Sequence, residues 1–314
     1  MPIKSTKLKK DPISEVVLIV ASDLHLTLTP PPARGETQGE WLDRQAFYLN
    51  QLRLLKLRHG CPLAVAGDIF DDGWRPKHCP PELTNFAIKH LPECYAVPGQ
   101  HDLPHHNYDD IQKSAYWTLV EAGKVIDLNP RDVGETDKGV FLYGFPWGKE
   151  ITPLEGKRSG LRVAVVHAYV WANADTSYPG APADKKATVL GEKLKGYDAS
   201  FFGDNHKGFK VGNLINCGAF QRRRADEKDY QPHVGLLYAD GHAERWPLSG
   251  IKDDKWKEDY SPPRKEEIED LAEGLLEALW QAGDTPDFPE VLRRELEGVR
   301  PEVKRHVISA LERS

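Results

Sequence analysis

The stretch "VVLIVASDLHL", residues 16–26, runs from an apolar segment straight into a polar one at Ser22 and Asp23. A short run this rich in β-branched residues reads as a buried strand. Its carboxyl end delivers Asp23 and His25. In an extended segment alternate side chains point the same way, so the two can face one ligand. An isolated Asp-x-His is an ordinary loop, and the rest of the chain decides how to read this one.

The same construction recurs. Leu63–Ala66 leads to "GDIFDDG", Tyr95–Val97 to "PGQHDLPHH", Val163–Val166 to "HAY", and Ser200–Phe202 to "GDNH". Val140–Phe145 and Val211–Ile215 read as further strands. Between the first two lies "EWLDRQAFYLNQLRLLKLRHG", where Leu42, Ala46, Leu49, Leu52 and Leu55 recur at helical spacing and Gly60 is a plausible stop. Weaker helical patterns cover "PELTNFAIKHL" and "DDIQKSAYWTLVEAG", and "HVGLLYADGHAERWPL" reads as a hairpin around Asp240 and Gly241. Strands alternating with helices predict an α/β fold with mixed sheets. Such sheets bind ligands outside the carboxyl ends of their strands. The five ends offer Asp23, His25, Asp68, Gln100, His101, Asp102, His167, Asp204 and His206, a mixture of carboxylates and imidazoles suited to Mn²⁺, Fe²⁺ or Zn²⁺.

The 314 residues are 39% hydrophobic and 29% charged, which is enough for a packed core and unlike a disordered chain. A net charge of −6 argues against coating nucleic acid by bulk charge, while leaving room for a local basic groove. Cys61, Cys79, Cys94 and Cys217 lack CxxC pairing, so neither a zinc ribbon nor a disulfide framework is expected. No segment has the length of a membrane span, and the lysine-rich start lacks the features of a signal peptide. The expectation is a soluble, cytoplasmic protein.

The ordered series "DLH" at 23–25, "GD" at 67–68, "GQHD" at 99–102, His167 and "GDNH" at 203–206 resembles the calcineurin-like metallophosphoesterases. The resemblance covers roughly residues 16–240 and implies a β-sandwich flanked by helices with two divalent metal ions at one edge. It implies that Asp23, His25, Asp68 and His206 hold the first ion. Asp68 would bridge to the second, completed by Gln100, His167 and Asp204. His101 would be the catalytic histidine that holds no metal, and Asp102 would orient it. The implied reaction is phosphoester hydrolysis by a hydroxide bridging the ions. Two positions depart from the family pattern, Gln100 standing for Asn and Asp204 for the first His of G-H-x-H. A harder carboxylate at 204 favours Mn²⁺ or Mg²⁺ over Zn²⁺.

Within that family, "SDLHL" and "GDIFDDG" are similar to the Mre11/SbcD nuclease branch, implying a DNA exonuclease. The alternative is a phosphodiesterase or phosphatase acting on nucleotides or other small phosphate esters. Arg222, Arg223 and Arg224 in "QRRRADEK" are candidate substrate-binding residues for DNA phosphates, or a solvated loop balanced by Asp226 and Glu227. Trp74 is a candidate for stacking on a base, or for packing against its own loop. A catalytic domain is expected over 1–260. Beyond it, 261–314 is read as a small C-terminal helical appendage, from the spacing of Ile268, Leu271, Leu275 and Leu279 and then Val303, Val307 and Leu311. That appendage either completes the core or docks a partner ATPase or a second copy of the chain.

Overall fold

The run at Val16–Ala21 forms β1, and all of its residues are buried. Along the chain follow β2 (Leu63–Ala66), β3 (Cys94–Val97), β4 (Val125–Asp127), β5 (Val133–Glu135) and β6 (Val140–Phe145). Then come β7 (Leu161–His167), β8 (Ala199–Gly203), β9 (Phe209–Val211), β10 (Leu214–Asn216), β11 (His233–Tyr238) and β12 (Ala243–Pro247). The computed structural model describes residues 15–75, 77–129, 133–156 and 159–261, with 296, 299, 303 and 304 beyond them.

The strands form two mixed six-stranded sheets, ordered β12-β11-β1-β2-β3-β4 and β5-β6-β7-β8-β10-β9. β1 to β4 run parallel, and so do β6, β7, β8 and β10; β11 lies antiparallel between β1 and β12, and β5 and β9 are antiparallel edge strands. The fold is therefore α/β, with helices flanking two sheets, as the sequence predicts. Where one strand is expected over Val211–Ile215 there are two short ones. Gly212, at φ 59°, turns the chain so that β9 folds back on β10.

Alternation along β1 sorts its side chains between two cores. Ile19 and Ala21 join Tyr48, Leu49 and Leu52 on the helix side. Leu18 and Val20 join Val163, Val165, Phe201 and Ile215 of the other sheet. Full burial of a leucine such as Leu18 contributes about 1.5–3 kcal/mol. A third cluster, with Phe145, Val166 and Phe202, lies against the residues that follow β7.

Helix α1 spans Gln38–His59. Thr37 caps it by accepting from the Glu40 amide while the Glu40 carboxylate accepts from the Thr37 amide. Gly60, in the left-handed region, ends it. Its buried residues are Trp41, Gln45, Tyr48, Leu49 and Leu52, a face rotated from the expected one, and Leu42, Ala46 and Leu55 are only half-buried. The reason is polar. The Gln45 amide donates to the Thr27 carbonyl and accepts from the Thr27 N–H, and the Trp41 indole donates to the Thr27 hydroxyl. The two weaker patterns form α2 (Pro81–His90) and, after a 3₁₀ segment at Tyr108–Lys113, α3 (Ala115–Glu121).

The chain divides into two units. The first comprises Met1–Pro30, Glu36–Arg222 and Asp229–Asp254, and the second Pro31–Gly35, Arg223–Lys228 and Lys255–Ser314. Both sheets belong to the first. In the second, the Arg34 guanidinium lies 4.9 Å over the Trp256 ring and the Lys228 ammonium 5.8 Å from it. The expected boundary at 260/261 falls inside this unit. The helices expected over 264–312 lie outside the described residues, apart from isolated positions, of which Leu296 and Val303 are buried. No helix among the described residues is long and apolar enough to cross a membrane. All four cysteines are free and buried.

Candidate metal centre

The parallel pairing of β1, β2 and β3 brings three carboxyl ends together in one sheet, and the pairing of β7 and β8 does so in the other. Two hydrogen bonds tie these ends across the sandwich. The Asp204 amide donates to Asp23 Oδ1 at 2.9 Å, and His167 Nδ1 donates to the Ala66 carbonyl at 2.7 Å. The backbone here is strained. Of six non-glycine residues at positive φ among the described residues, four are Asp23, His25, Asp68 and Asp204. Each such conformation costs about 1–3 kcal/mol and persists where surrounding structure enforces it. Two glycines make the close approach possible. A Cβ on Gly67 would lie 2.0 Å from His167 Nδ1, and one on Gly99 would lie 2.0 Å from Asp68 Oδ1.

The donor atoms converge. His25 Nε2 and His206 Nε2 face each other at 3.0 Å. Asp68 Oδ2 lies 3.6 Å from His25 Nε2 and 3.4 Å from His167 Nε2, between the two clusters. Asp23, His25 and His206 form one group able to hold a metal ion, and Asp23, Asp68 and His167 form another. Asp23 and Asp68 each spend one oxygen on a backbone amide, of Asp204 and His101 respectively. The other oxygen of each, Asp23 Oδ2 and Asp68 Oδ2, is buried with no hydrogen-bond partner among the described residues. A buried, unpartnered carboxylate oxygen is costly unless a cation meets it.

Gln100 extends the second group. Its Nε2 donates to Asp204 Oδ1 at 2.9 Å, and its Oε1 lies 2.8 Å from His167 Nε2. Because His167 Nδ1 is committed to a carbonyl, two lone pairs meet there unless a proton or a metal ion intervenes. The charges agree. Burial pushes the Asp23 carboxyl up to about 7, with Asp68 adding to the rise and His167 opposing it. Burial would raise Asp68 too, but the His167, His25 and His101 imidazoles hold it below the usual carboxylate range. Burial opposes a charged His167, yet Asp68, with Asp23 and Asp204, holds it up to about 10. Protons thus occupy positions that a divalent ion would take. The residues present fit two such ions: Asp23, His25, Asp68 and His206 would hold one, and Asp68, Gln100, His167 and Asp204 the other.

Asp102 has a different part from the one expected. Its Oδ1 accepts from the Phe70 amide, and its Oδ2 accepts from the Ile69 and Gly99 amides. Fully buried, it ties the loop after β2 to the loop after β3 and reaches His101 only through that backbone. Burial and the nearby Asp68 push its carboxyl up to about 7 against these bonds. The carboxylate near the His101 ring is Asp71, which the sequence reading passed over; Asp71, His25 and His101 bring ligand atoms within 4.8 Å of one another. Asp71 Oδ1 also lies 3.2 Å from His25 Nδ1, where it can orient that imidazole. Only the "DD" after "GDIF" signalled it.

Asn205 is a second residue that sequence reasoning missed. Its amide donates to the Val170 and Thr176 carbonyls, both at 2.7 Å, and its oxygen accepts from the Lys207 amide. The loop carrying Asp204 and His206 is thereby fastened to the segment after β7.

The arginine cluster does not act as one patch. Arg222 is 4% exposed and pairs with Asp254 at 2.7 Å, so it is committed to the protein rather than to an incoming phosphate. Arg223 and Arg224 belong to the second unit, where their amides donate to Glu227 Oε2. The Arg224 guanidinium is exposed and lies 3.6 Å from Asp226. Trp74 packs beside the His105 ring at 4.4 Å with Arg75 over it at 4.7 Å.

No family model matches the chain, and no curated protein matches it either. Among solved structures it is similar to the sulfate thiohydrolase SoxB of Thermus thermophilus in complex with glycerol, at 12% identity and a TM-score of 0.44, over 88% of this chain and 63% of that one. TT1561, also of Thermus thermophilus, is similar at 12% identity and 0.41, over 75% of this chain and 100% of that one. A calcineurin-like phosphoesterase, YfkN from Bacillus subtilis, is similar at 12% identity and 0.40, over 74% and 89%. The chain thus spans less than two thirds of the SoxB chain's length. Likenesses this distant bear on neither activity nor substrate.

Proposed function

We propose that this protein is a metal-dependent phosphodiester hydrolase. One observation carries the reading: Asp23 Oδ2 and Asp68 Oδ2 are buried with no hydrogen-bond partner among the described residues, and the imidazole nitrogens of His25 and His167 lie 3.6 and 3.4 Å from Asp68 Oδ2. Two bound divalent ions, with Mn²⁺ favoured by the Asp204 carboxylate, would polarise a phosphate's non-bridging oxygens and lower the pKa of bound water. The chain's own residues do the rest. The Ala66 carbonyl fixes the His167 tautomer and leaves Nε2 free to bind. Asp102 holds the loop that sets His101 beside the centre, with its ring 5.1 Å from that of His25. His101, half-buried, would give a proton to the leaving oxygen.

The finer reading is a DNA exonuclease, supported by the "SDLHL" and "GDIFDDG" stretches. The burial of Arg222 removes one of its three phosphate contacts and favours the second reading, a phosphodiesterase for nucleotides or small phosphate esters. On the exonuclease reading, residues 261–314 would dock a partner ATPase or a second copy of the chain.

The test is turnover of bis(4-nitrophenyl) phosphate beside labelled single- and double-stranded DNA. Chelated protein should be inert and Mn²⁺ should restore it. Asp68→Asn should abolish turnover of every substrate, and near-normal activity in that variant would overturn the proposal.

A further inference from the structure

His167 and Asp204 of the metal groups also form part of the lining of a cavity of about 340 Å³. Whatever fills that cavity touches the second ion's ligands. Its remaining lining combines two kinds of group. Lys149, Lys185 and Lys193 are its basic lining residues and Glu150 and Asp204 its acidic ones; Trp147 and Tyr169 are its large aromatic ones. No carboxylate pairs with Lys185 or Lys193 among the described residues, whereas the Lys149 ammonium lies 5.3 Å over the ring of Tyr108, which lines a different cavity. In a chain of net charge −6, two lysines without acidic partners around one cavity leave a local positive field. The Tyr169 hydroxyl, beside Tyr178, is buried and meets no acceptor among the described residues, a donor that an anionic group can satisfy.

The cavity is built together with the centre. The two carbonyls that Asn205 holds belong to Val170, which lines the cavity, and to Thr176 of the same loop. Asn205 stands between Asp204 and His206, so the wall cannot shift without drawing on the metal loop. The volume lies at the small end of the range for small-molecule sites, about 300–1,000 Å³, and admits one compact group rather than a duplex.

Resting on the two-metal reading of the centre, we propose that this cavity is the subsite for a single nucleotide unit of the substrate. Lys185 and Lys193 face its phosphate, with the Tyr169 hydroxyl, and Trp147 faces its base. Ammonium groups suit phosphate as point charges, and aromatic faces accept any base by stacking. The nucleotide can come from a free molecule or from the end of a strand.

Binding separates this idea from the chemistry. Calorimetry on the full chain with Mn²⁺ should show adenosine 5′-monophosphate binding at least tenfold more tightly than ribose 5-phosphate or adenosine. Lys185→Ala/Lys193→Ala should weaken the monophosphate at least tenfold. Trp147→Leu should weaken it while changing ribose 5-phosphate less than twofold. Ribose 5-phosphate binding as tightly as the nucleotide, or a lysine double variant within twofold of the parent, would overturn the subsite. If the parent turns over bis(4-nitrophenyl) phosphate but does not discriminate among the three probes, the subsite falls and the hydrolase reading stands. If it discriminates but turns over nothing with Mn²⁺, the hydrolase reading falls instead. A short single-stranded oligonucleotide binding more tightly than the monophosphate assigns the unit to a strand end, and the reverse order assigns it to a free nucleotide.

Discussion

Replacing Asp102 by asparagine separates two accounts of one residue. If Asp102 oriented the His101 ring, the change would lower turnover and leave the fold alone. In the structure its oxygens accept three backbone N–H groups, from Phe70 at 3.0 Å, Gly99 at 3.1 Å and Ile69 at 3.2 Å. Asparagine keeps one oxygen, which can serve the Gly99 and Ile69 amides, and turns an NH₂ toward the Phe70 amide. One hydrogen bond to a charged group is lost, a buried donor is left facing another donor, and the remaining bonds lose their charge. Bonds to charged groups are worth about 1.5–3 kcal/mol and a buried unsatisfied donor costs about 1–3, so about 3 kcal/mol is a moderate expectation. For a chain of 314 residues, at about 2.1 cal/mol/K of unfolding entropy per residue, that lowers the melting temperature by roughly 4–5 °C. The assay is a thermal melt of the Mn²⁺-loaded protein at pH 8.5, where Asp102 is ionised, beside kcat measured well below the transition. Variant and parent should differ in melting temperature and agree in kcat within a few-fold. An unchanged melting temperature with a hundredfold loss of kcat would refute the reasoning and return Asp102 to His101.

His101→Ala should leave metal content by mass spectrometry near that of the parent while turnover falls about 10²–10⁴-fold, the usual cost of losing general acid–base help; loss of metal would make His101 a ligand. Asp204→Ala should lower occupancy of the second ion, and Asp204→His should recover it with preference moved toward Zn²⁺; equal stoichiometry in all three proteins would exclude Asp204 as a ligand. The metal-free protein should lose stability as pH rises. Asp23 keeps its proton to about pH 7 when folded but only to about 3.8 when unfolded, so the folded state binds more protons between those values and stability falls across that window. His167, held up to about 10 against an ordinary 6.5, adds stability that is complete below 6.5 and lost toward 10. Denaturant titrations from pH 5 to 9 should show this decline without metal and much less of it with Mn²⁺, and a rising metal-free profile would contradict it.

The strands that carry the centre were legible because each pairs a short apolar run with an abrupt polar end, as at Ala21–Ser22 and Ala66–Gly67. Both sheets keep that order, and the ligand candidates from residue 23 to 206 meet where the parallel pairings place them. What escaped the sequence depends on direction and distance. Asp102 stands beside His101 in the chain, but the 3₁₀ turn at Gln100–Asp102 gives consecutive side chains different partners. Arg222 looks like its two neighbours until Asp254, far along the chain, pairs with it. Asp71 and Asn205 have partners set by loop geometry, which periodicity does not encode. Gln45 is polar, so a hydrophobic count on α1 chose a face rotated from the buried one. The short edge strands β4, β5 and β9 carry too few residues to show alternation.

The bonds from Asp204 to Asp23 and from His167 to Ala66 join one sheet to the other, and so do the groups Asp23, His25, His206 and Asp23, Asp68, His167. Neither sheet alone holds either of these two groups. During synthesis at about 5–20 residues per second, Asp68 precedes His206 by roughly 7–28 s. Until His167 is made, roughly 5–20 s after Asp68 at the same rate, the growing chain carries Asp23, His25 and Asp68 with no imidazole from the second sheet to answer them. An ion met then would find three ligands on loose loops, held by strands whose partner sheet does not yet exist. Metal capture would therefore come late, as a seal on the two halves once they have met rather than as a nucleus around which they gather.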